Sequence, residues 1–283
     1  MFIDQLAAVV AKRWQQHVAQ FDTDASLSTR LGLQFAFPSP PLQDYVSYYW
    51  LSLNNTEPTY SIVPDGAVDV VFMFGQEDRQ LHAYGSTTSK ADLSITIAAH
   101  YLGIRFKPGQ SRHFIDVSPV ELTNTAISGD DQLFIAKASP VALDAANTVF
   151  YFLDQLLLQH LRRRPLLPSG IDKVVEHIQL THGMLRVDQL ASLYGKSRRQ
   201  FDRLFLNTVG MPPKLYSEIV RFQRACMLVA GTSLSLSQIA ADLGYTDQSH
   251  LTHQFVRFYG ESPSYARKHG SFLQDSFLLP KDN

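Results

Sequence analysis

The sequence predicts an α+β chain of two domains. A small antiparallel β-barrel or sandwich with flanking helices comes first. An all-α domain of two helix-turn-helix units joined by a linking helix follows. Three observations predict this. From Tyr45 to Phe106 the chain runs in short segments rich in β-branched and aromatic residues, separated by turn residues. Beyond residue 141 the apolar residues change to helical spacing. The C-terminal part then carries one pattern twice, with Phe205 and Gly210 recurring 50 residues later as Phe255 and Gly260.

At 283 residues the chain is long enough for two domains, and 45% hydrophobic with 18% charged residues is an ordinary globular balance. Phe2, Leu6, Val9, Val10, Trp14, Val18 and Phe21 recur at helical spacing, so residues 2–21 are expected to form an amphipathic helix packed on the first domain. Asp4, Lys12, Arg13 and His17 interrupt its apolar residues, so it does not read as a signal peptide. Residues 22–43 are polar and then Pro-rich, a loop or extended arm. The strand segments are Y-V-S-Y-Y-W-L-S-L, Y-S-I-V, A-V-D-V-V-F-M-F, L-S-I-T-I-A and Y-L-G-I-R-F. Pro64-Asp65-Gly66 and Lys107-Pro108-Gly109 suit tight turns between them. A sheet over about residues 30–118 follows.

His82, His100 and His113 lie in this region without an H-x-H pair. They read as solvated or hydrogen-bonded histidines, with no metal and no cofactor expected. Asp65 and Asp69 read as turn and strand-edge residues. Tyr48, Trp50 and Phe72 read as core more readily than as the lining of an apolar pocket. Residues 141–162 read as a helix with Val149, Phe152, Leu153, Leu156, Leu157 and Leu161 in a broad apolar stripe, which suits either a partner helix or packing within the monomer. Arg162-Arg163-Arg164-Pro165 opens a short linker, its arginines suited to phosphate or to a solvated helix end.

Beyond the linker, Ile171–Leu180 is expected as a helix, and Pro213–Val229 as the linking helix with Leu215, Ile219, Phe222, Cys226 and Val229 on one face. The first copy of the repeat runs from Leu185 to Pro213. Ser197 caps its second helix, Phe201, Leu204 and Phe205 hold it, and Arg198, Arg199, Gln200, Asp202 and Arg203 face out. The second copy runs from Leu236 to Pro263, with Ser237 expected to cap its first helix and Thr246 or Asp247 its second. Leu251, Phe255 and Phe258 face inward, while Gln248, Ser249, Thr252 and His253 face out. Gly195 and Gly244 sit in the turns, and the second turn is one residue longer. An Arg fork matches guanine O6 and N7, and Gln can serve adenine in the same way. Arg221 and Arg224 on the linking helix suit either phosphate or a carboxylate partner. Residues 1–165 hold 12 Lys and Arg against 16 Asp and Glu, whereas residues 166–283 hold 13 against 10. The basic excess therefore lies with the repeat, where it would meet phosphate.

The tandem copies, with G-Y-T-D-Q-S-H-L followed by F-V-R-F-Y-G-E-S-P, resemble the DNA-binding domain of AraC/XylS-family bacterial transcription regulators over about residues 171–269. The Y-Y-W, V-P-D-G-A-V-D-V-V-F and G-I-R-F-K-P-G segments are similar to an N-terminal domain often found before it and related to the cupin-like arm of that family. The resemblance implies an effector or regulatory domain over 1–140, a helix and linker over 141–170 that commonly forms the dimer interface, a DNA-binding domain over 171–270 and a tail over 271–283. It implies base-reading positions at Arg199, Asp202 and Arg203 and at Gln248, Ser249, Thr252 and His253. Ser197, Arg198, Gln200, Thr246, Asp247 and His250 complete the two DNA-binding surfaces. His253 stands where the family often has Arg. Asp202 would accept from a cytosine amine or orient Arg199.

The expected activity is sequence-specific regulation of transcription by a cytoplasmic protein, not an enzyme. The expected partners are double-stranded DNA, a small-molecule effector, a second copy of the chain and, for an activator, RNA polymerase. No 18-residue apolar run marks a membrane helix. The alternatives are an enzyme with a DNA-binding appendage, of cupin or DNA-repair type, or a ligand sensor that needs a partner protein to bind DNA. A repair enzyme needs a nucleophilic Cys, and the lone Cys226 falls on an apolar helix face.

Overall fold

The structure, a computed structural model, describes residues 33–76, 78–129, 149–163 and 169–269. It divides into two compact units. One takes in residues up to 60, 67–85 and 94–167, and the other takes in 61–66, 86–93 and those from 168 on. The helix expected over 2–21, residues 141–148, Arg164 with most of the linker, and the tail from 271 lie outside the described residues.

In the first unit six strands make one sheet: β1 (Leu33–Ala36), β2 (Val46–Ser52), β4 (Val68–Phe74), β5 (Arg79–Tyr84), β7 (His100–Phe106) and β8 (Ala126–Ser128). Their order is β1-β2-β7-β4-β5-β8, with antiparallel neighbours such as Phe72 opposite Leu102 and Trp50 opposite Gly103. β3 (Thr59–Ile62) and β6 (Ala91–Ser94) pair separately. The β-rich domain with flanking helices is as expected, but the barrel form of it is not seen. β1 and β8 are the two ends of the sheet, which stays open among the described residues. Strands β1, β5 and β8 were not among the expected segments, and β6 sits slightly earlier than L-S-I-T-I-A.

Alternation places Tyr49 and Leu51, Val70 and Phe72, and Leu102 and Ile104 on one face of the sheet, all fully buried. Helix α1 (Pro119–Leu122) is a single turn capped by Ser118. Helix α2 (Val149–Arg163) lays Val149, Phe152, Leu153, Leu156 and Leu157 into the same core, each contributing about 2 kcal/mol of apolar burial. The broad stripe is therefore covered within its own unit. Buried Asp154 on α2 accepts from the Tyr49 hydroxyl at 3.0 Å and the Ser39 amide at 2.8 Å. Burial, and then Asp154 beside it, push the Tyr49 phenol far above its ordinary value.

On the other face Asp69 pairs with buried Arg105 and accepts from Trp50 Nε1 at 3.2 Å. A Cβ on Gly103 would fall 2.0 Å from the Trp50 ring, so only glycine leaves room for the indole. Tyr48 and Phe72 are buried as core residues. His82 Nε2 lies 2.9 Å from Gln80 Oε1, His100 Nδ1 accepts from the Asn54 amide, and His113 packs edge-on against Tyr45.

The second unit is helical among its described residues beyond 168: α3 (Gly170–Leu180), α4 (Val187–Leu193), α5 (Arg198–Val209), α6 (Pro213–Gly231), α7 (Leu236–Asp242), α8 (Gln248–Tyr259) and α9 (Pro263–His269). Ser169, Ser197, Ser235 and Asp247 cap α3, α5, α7 and α8 through side-chain oxygens. The cap of α7 is Ser235 rather than Ser237. Gly195 and Gly244 take φ of 67° and 68° with open space around them, so left-handed backbone and not crowding requires glycine there. The 19-residue α6 is the shared spine. Its Tyr216 meets Phe205 of the first copy, and its Phe222 meets Phe255 and Phe258 of the second. Among the described residues no helix is long and apolar enough to cross a membrane.

Candidate nucleic-acid interface

The second helix of each copy is fixed by its apolar side. Phe201 and Phe205 are fully buried on α5, as are Leu251, Phe255 and Phe258 on α8. With those residues inward, the 3.6-residue period turns Arg199, Asp202 and Arg203 outward on α5 and Gln248, Ser249, Thr252 and His253 outward on α8. Arg199, Arg203, Gln248, Ser249 and His253 are exposed, and Asp202 and Thr252 are half-buried.

The remaining polar residues are engaged locally. The Ser197 hydroxyl accepts from the Gln200 amide, and Gln200 Oε1 returns the bond by accepting from the Ser197 amide. Arg198 Nη1 donates to Asp188 at 2.6 Å, and its Nε lies 2.9 Å from both Asp202 carboxylate oxygens. These bonds raise the already high Arg198 pKa, Asp188 foremost. Asp202 thus orients Arg198, not Arg199. In the second copy Asp247 accepts from the His250 amide at 2.7 Å. His250 Nδ1 lies 3.3 Å from the Thr246 hydroxyl, and its ring stands edge-on to Tyr245. Gln248 Oε1 accepts from the Ser237 hydroxyl at 2.8 Å, which ties the recognition helix to α7.

Two participants escape a reading of the sequence. Asp188 and Ser237 sit on the first helix of each copy and hold residues of the second. The Arg198–Asp202 pair has readable i,i+4 spacing. Asp188 lies 10 residues from Arg198 across the turn, and no local period reports it. Arg221 and Arg267 also donate to backbone carbonyls, Arg221 to Gly183 and Arg267 to Val229 and Leu234. Cys226 is fully buried, and burial raises its thiol well above the ordinary value, as for an inert core cysteine.

Two family models match the chain. One is a domain of unknown function, DUF6597, over residues 34–128, and the other is a helix-turn-helix domain over residues 190–269. An uncharacterized HTH-type transcriptional regulator of Haemophilus influenzae is 30% identical over 162 residues, which are 53% of this chain and 54% of that protein. The HTH-type transcriptional regulator MtrA of Neisseria gonorrhoeae is 30% identical over 84 residues, 30% of this chain and 28% of that one. The matched stretch thus spans about half of the first relative and less than a third of the second. A solved AraC-type regulator from Chromobacterium violaceum is 29% identical, covering 34% of this chain and 86% of its own at a TM-score of 0.32. With two helix-turn-helix copies packed on one spine, and the helix-turn-helix model matching residues 190–269 across the second helix of each, the C-terminal part of the chain is a tandem helix-turn-helix domain.

Proposed function

We propose that the chain is a sequence-specific DNA-binding regulator of transcription that sets α5 and α8 into adjacent major-groove segments of one site. The observation that carries this reading is the pair of capped recognition helices buried against one helix, α6. At 19 residues α6 is about 28 Å long, close to the ~34 Å of one DNA turn, so the two helices suit neighbouring groove faces. Arg199 and Arg203 would read guanine edges, Gln248 adenine, and Ser249, Thr252 and His253 the neighbouring bases. Ser197, Gln200, Thr246, Asp247 and His250 hold the helix starts where phosphates would pass. Arg198 enters through the carboxylates of Asp188 and Asp202, which screen its charge.

In this reading the β-rich unit, related to the cupin-like arm, sets activity through a small ligand or through pairing of two copies. The apolar stripe of α2 packs in its own unit, so pairing would use another surface, such as that around exposed Tyr151. An activator of this kind would also meet RNA polymerase. The buried, raised thiol of Cys226 weighs against an alkyl-transfer enzyme.

Selection of the purified chain on random duplexes at about 150 mM salt, where non-specific phosphate contact is screened, tests the proposal. An enriched motif of two blocks one turn apart supports it, with Arg199→Ala relaxing one block and Gln248→Ala the other. A single block would demote α8 to a structural role. No enrichment, with or without candidate ligands, would favour a sensor that needs a partner protein.

A further inference from the structure

The two copies are not equivalent at their turns. The Lys196 amide bonds the Ala191 carbonyl at 3.2 Å, and the Tyr245 amide bonds the Ala240 carbonyl at 2.9 Å, so these residues occupy matching places. Lys196 is exposed, whereas Tyr245 is buried. What covers Tyr245 is α6. The Arg221 guanidinium carbon stands 5.5 Å from the Tyr245 ring centroid, and Arg221 Nη2 donates to the Gly183 carbonyl at 2.8 Å. Gly183 lies in the turn that leads into the first copy. It packs hard on α6, since a Cβ there would fall 2.1 Å from the Ser217 carbonyl oxygen, and its φ is 68°. One side chain on the spine therefore touches the entry to the first copy and the turn of the second. A turn further back, Glu218 accepts from Arg257 at 3.1 Å, and Arg257 belongs to α8.

We propose that Arg221 is a positioning residue that locks the two helix-turn-helix copies at one separation, so that paired DNA blocks are engaged at one spacing only. The proposal rests on the DNA-binding reading above. Its physical ground is that a guanidinium offers several donors in a rigid plane and can stack on a ring while donating from its edge. Two heads on a stiff joint share one DNA site at high effective concentration, but only where the block spacing matches the joint. Hinge freedom between the copies would relax the spacing without weakening either head.

The full-length chain is titrated on the duplex enriched by selection, on the same duplex with its blocks moved apart by two base pairs, and on each block alone. Wild type is expected to prefer the native spacing by about tenfold or more, and Arg221→Met to cut that preference to about twofold while single-block binding stays unchanged. Arg221→Lys, which keeps a donor for the Gly183 carbonyl, restores part of it. An unchanged spacing preference in Arg221→Met overturns the proposal, as does an equal loss on single blocks, which marks Arg221 as merely structural. A second measurement needs no DNA. Amide hydrogen exchange of Tyr245→Ala should rise at residues 181–186, across the joint, as well as at its own turn. Tyr245→Phe should leave both unchanged, because the hydroxyl is buried without a partner among the described residues. Exchange confined to the turn of the second copy sinks the coupling even if the chain reads DNA. Transmitted exchange without any enriched duplex leaves the joint standing and sinks the DNA reading instead.

Discussion

Replacing both Asp188 and Asp202 by asparagine tests what the two carboxylates do to the proposed DNA face. Arg198 reaches Asp188 at 2.6 Å and Asp202 at 2.9 Å, with all three side chains between 42% and 66% exposed. Exposed pairs of this kind are worth about 0–1 kcal/mol each. Losing both should therefore move the midpoint of thermal unfolding by no more than about 8 °C. The chain's formal charge passes from −1 to about +1, with one new neutral residue on α5 and the other on α4 next to it. One Arg released to meet phosphate steepens the slope of log affinity against log salt by about 0.9, so that between about 50 and 200 mM salt the variant loses roughly 3.5-fold more affinity than wild type. Anisotropy of a labelled random duplex, titrated at several salt concentrations, measures both slopes. Parallel slopes in a variant that still folds and binds would refute the placement of Arg198 at a phosphate-facing surface.

Three further outcomes follow from the packing. Phe222→Ala, which removes the ring packed between Phe255 and Phe258, should cost about 3–5 kcal/mol in denaturant unfolding. A cost under about 1 kcal/mol would mean that α6 is not a shared spine. Gly103→Ala should push the Trp50 indole off Asp69 and shift its fluorescence, at about 1–3 kcal/mol of stability; an unmoved spectrum would count against the Trp50–Gly103 contact. Burial lowers the His100 pKa from its ordinary 6.5, so the folded state holds it neutral while the unfolded chain takes up a proton below that value. The stability from this group is complete above pH 6.5 and falls as pH drops through the lowered folded value. His100→Gln should flatten that acid limb of the unfolding curve, and an unaltered limb would exclude the histidine as its source.

The helical unit was largely legible because its signals are local. Capping serines, turn glycines and phenylalanines at 3.6-residue spacing all lie within a few residues of what they determine. Even the misplaced cap was readable. Ser235 and Gln238 form the serine-to-glutamine pair of a capping box, a stronger sign than Ser237 alone. The sheet was less legible. β5 has only Leu81 and Ala83 buried, and three-residue β8 is placed by its ladder with β5. Such strands are defined by neighbours far along the chain, not by their own period. At the interface, the outward faces of α5 and α8 follow from helical spacing. The partners that hold their residues, Asp188 for Arg198 and Ser237 for Gln248, depend on how separate helices meet.

The outward residues of α5 and α8 take no part in the core that Phe201, Phe205, Leu251 and Phe255 build. Substitutions at Arg199, Arg203, Ser249 or His253 should change stability by no more than about 0.5 kcal/mol each. On the proposed reading, operator preference can therefore drift among descendants of this gene while the scaffold stays intact. If the joint at Arg221 and Tyr245 sets the spacing as proposed, it is under the opposite constraint, because a change there would alter every site at once. Across descendants, the letters of the operator would diverge long before the distance between its halves.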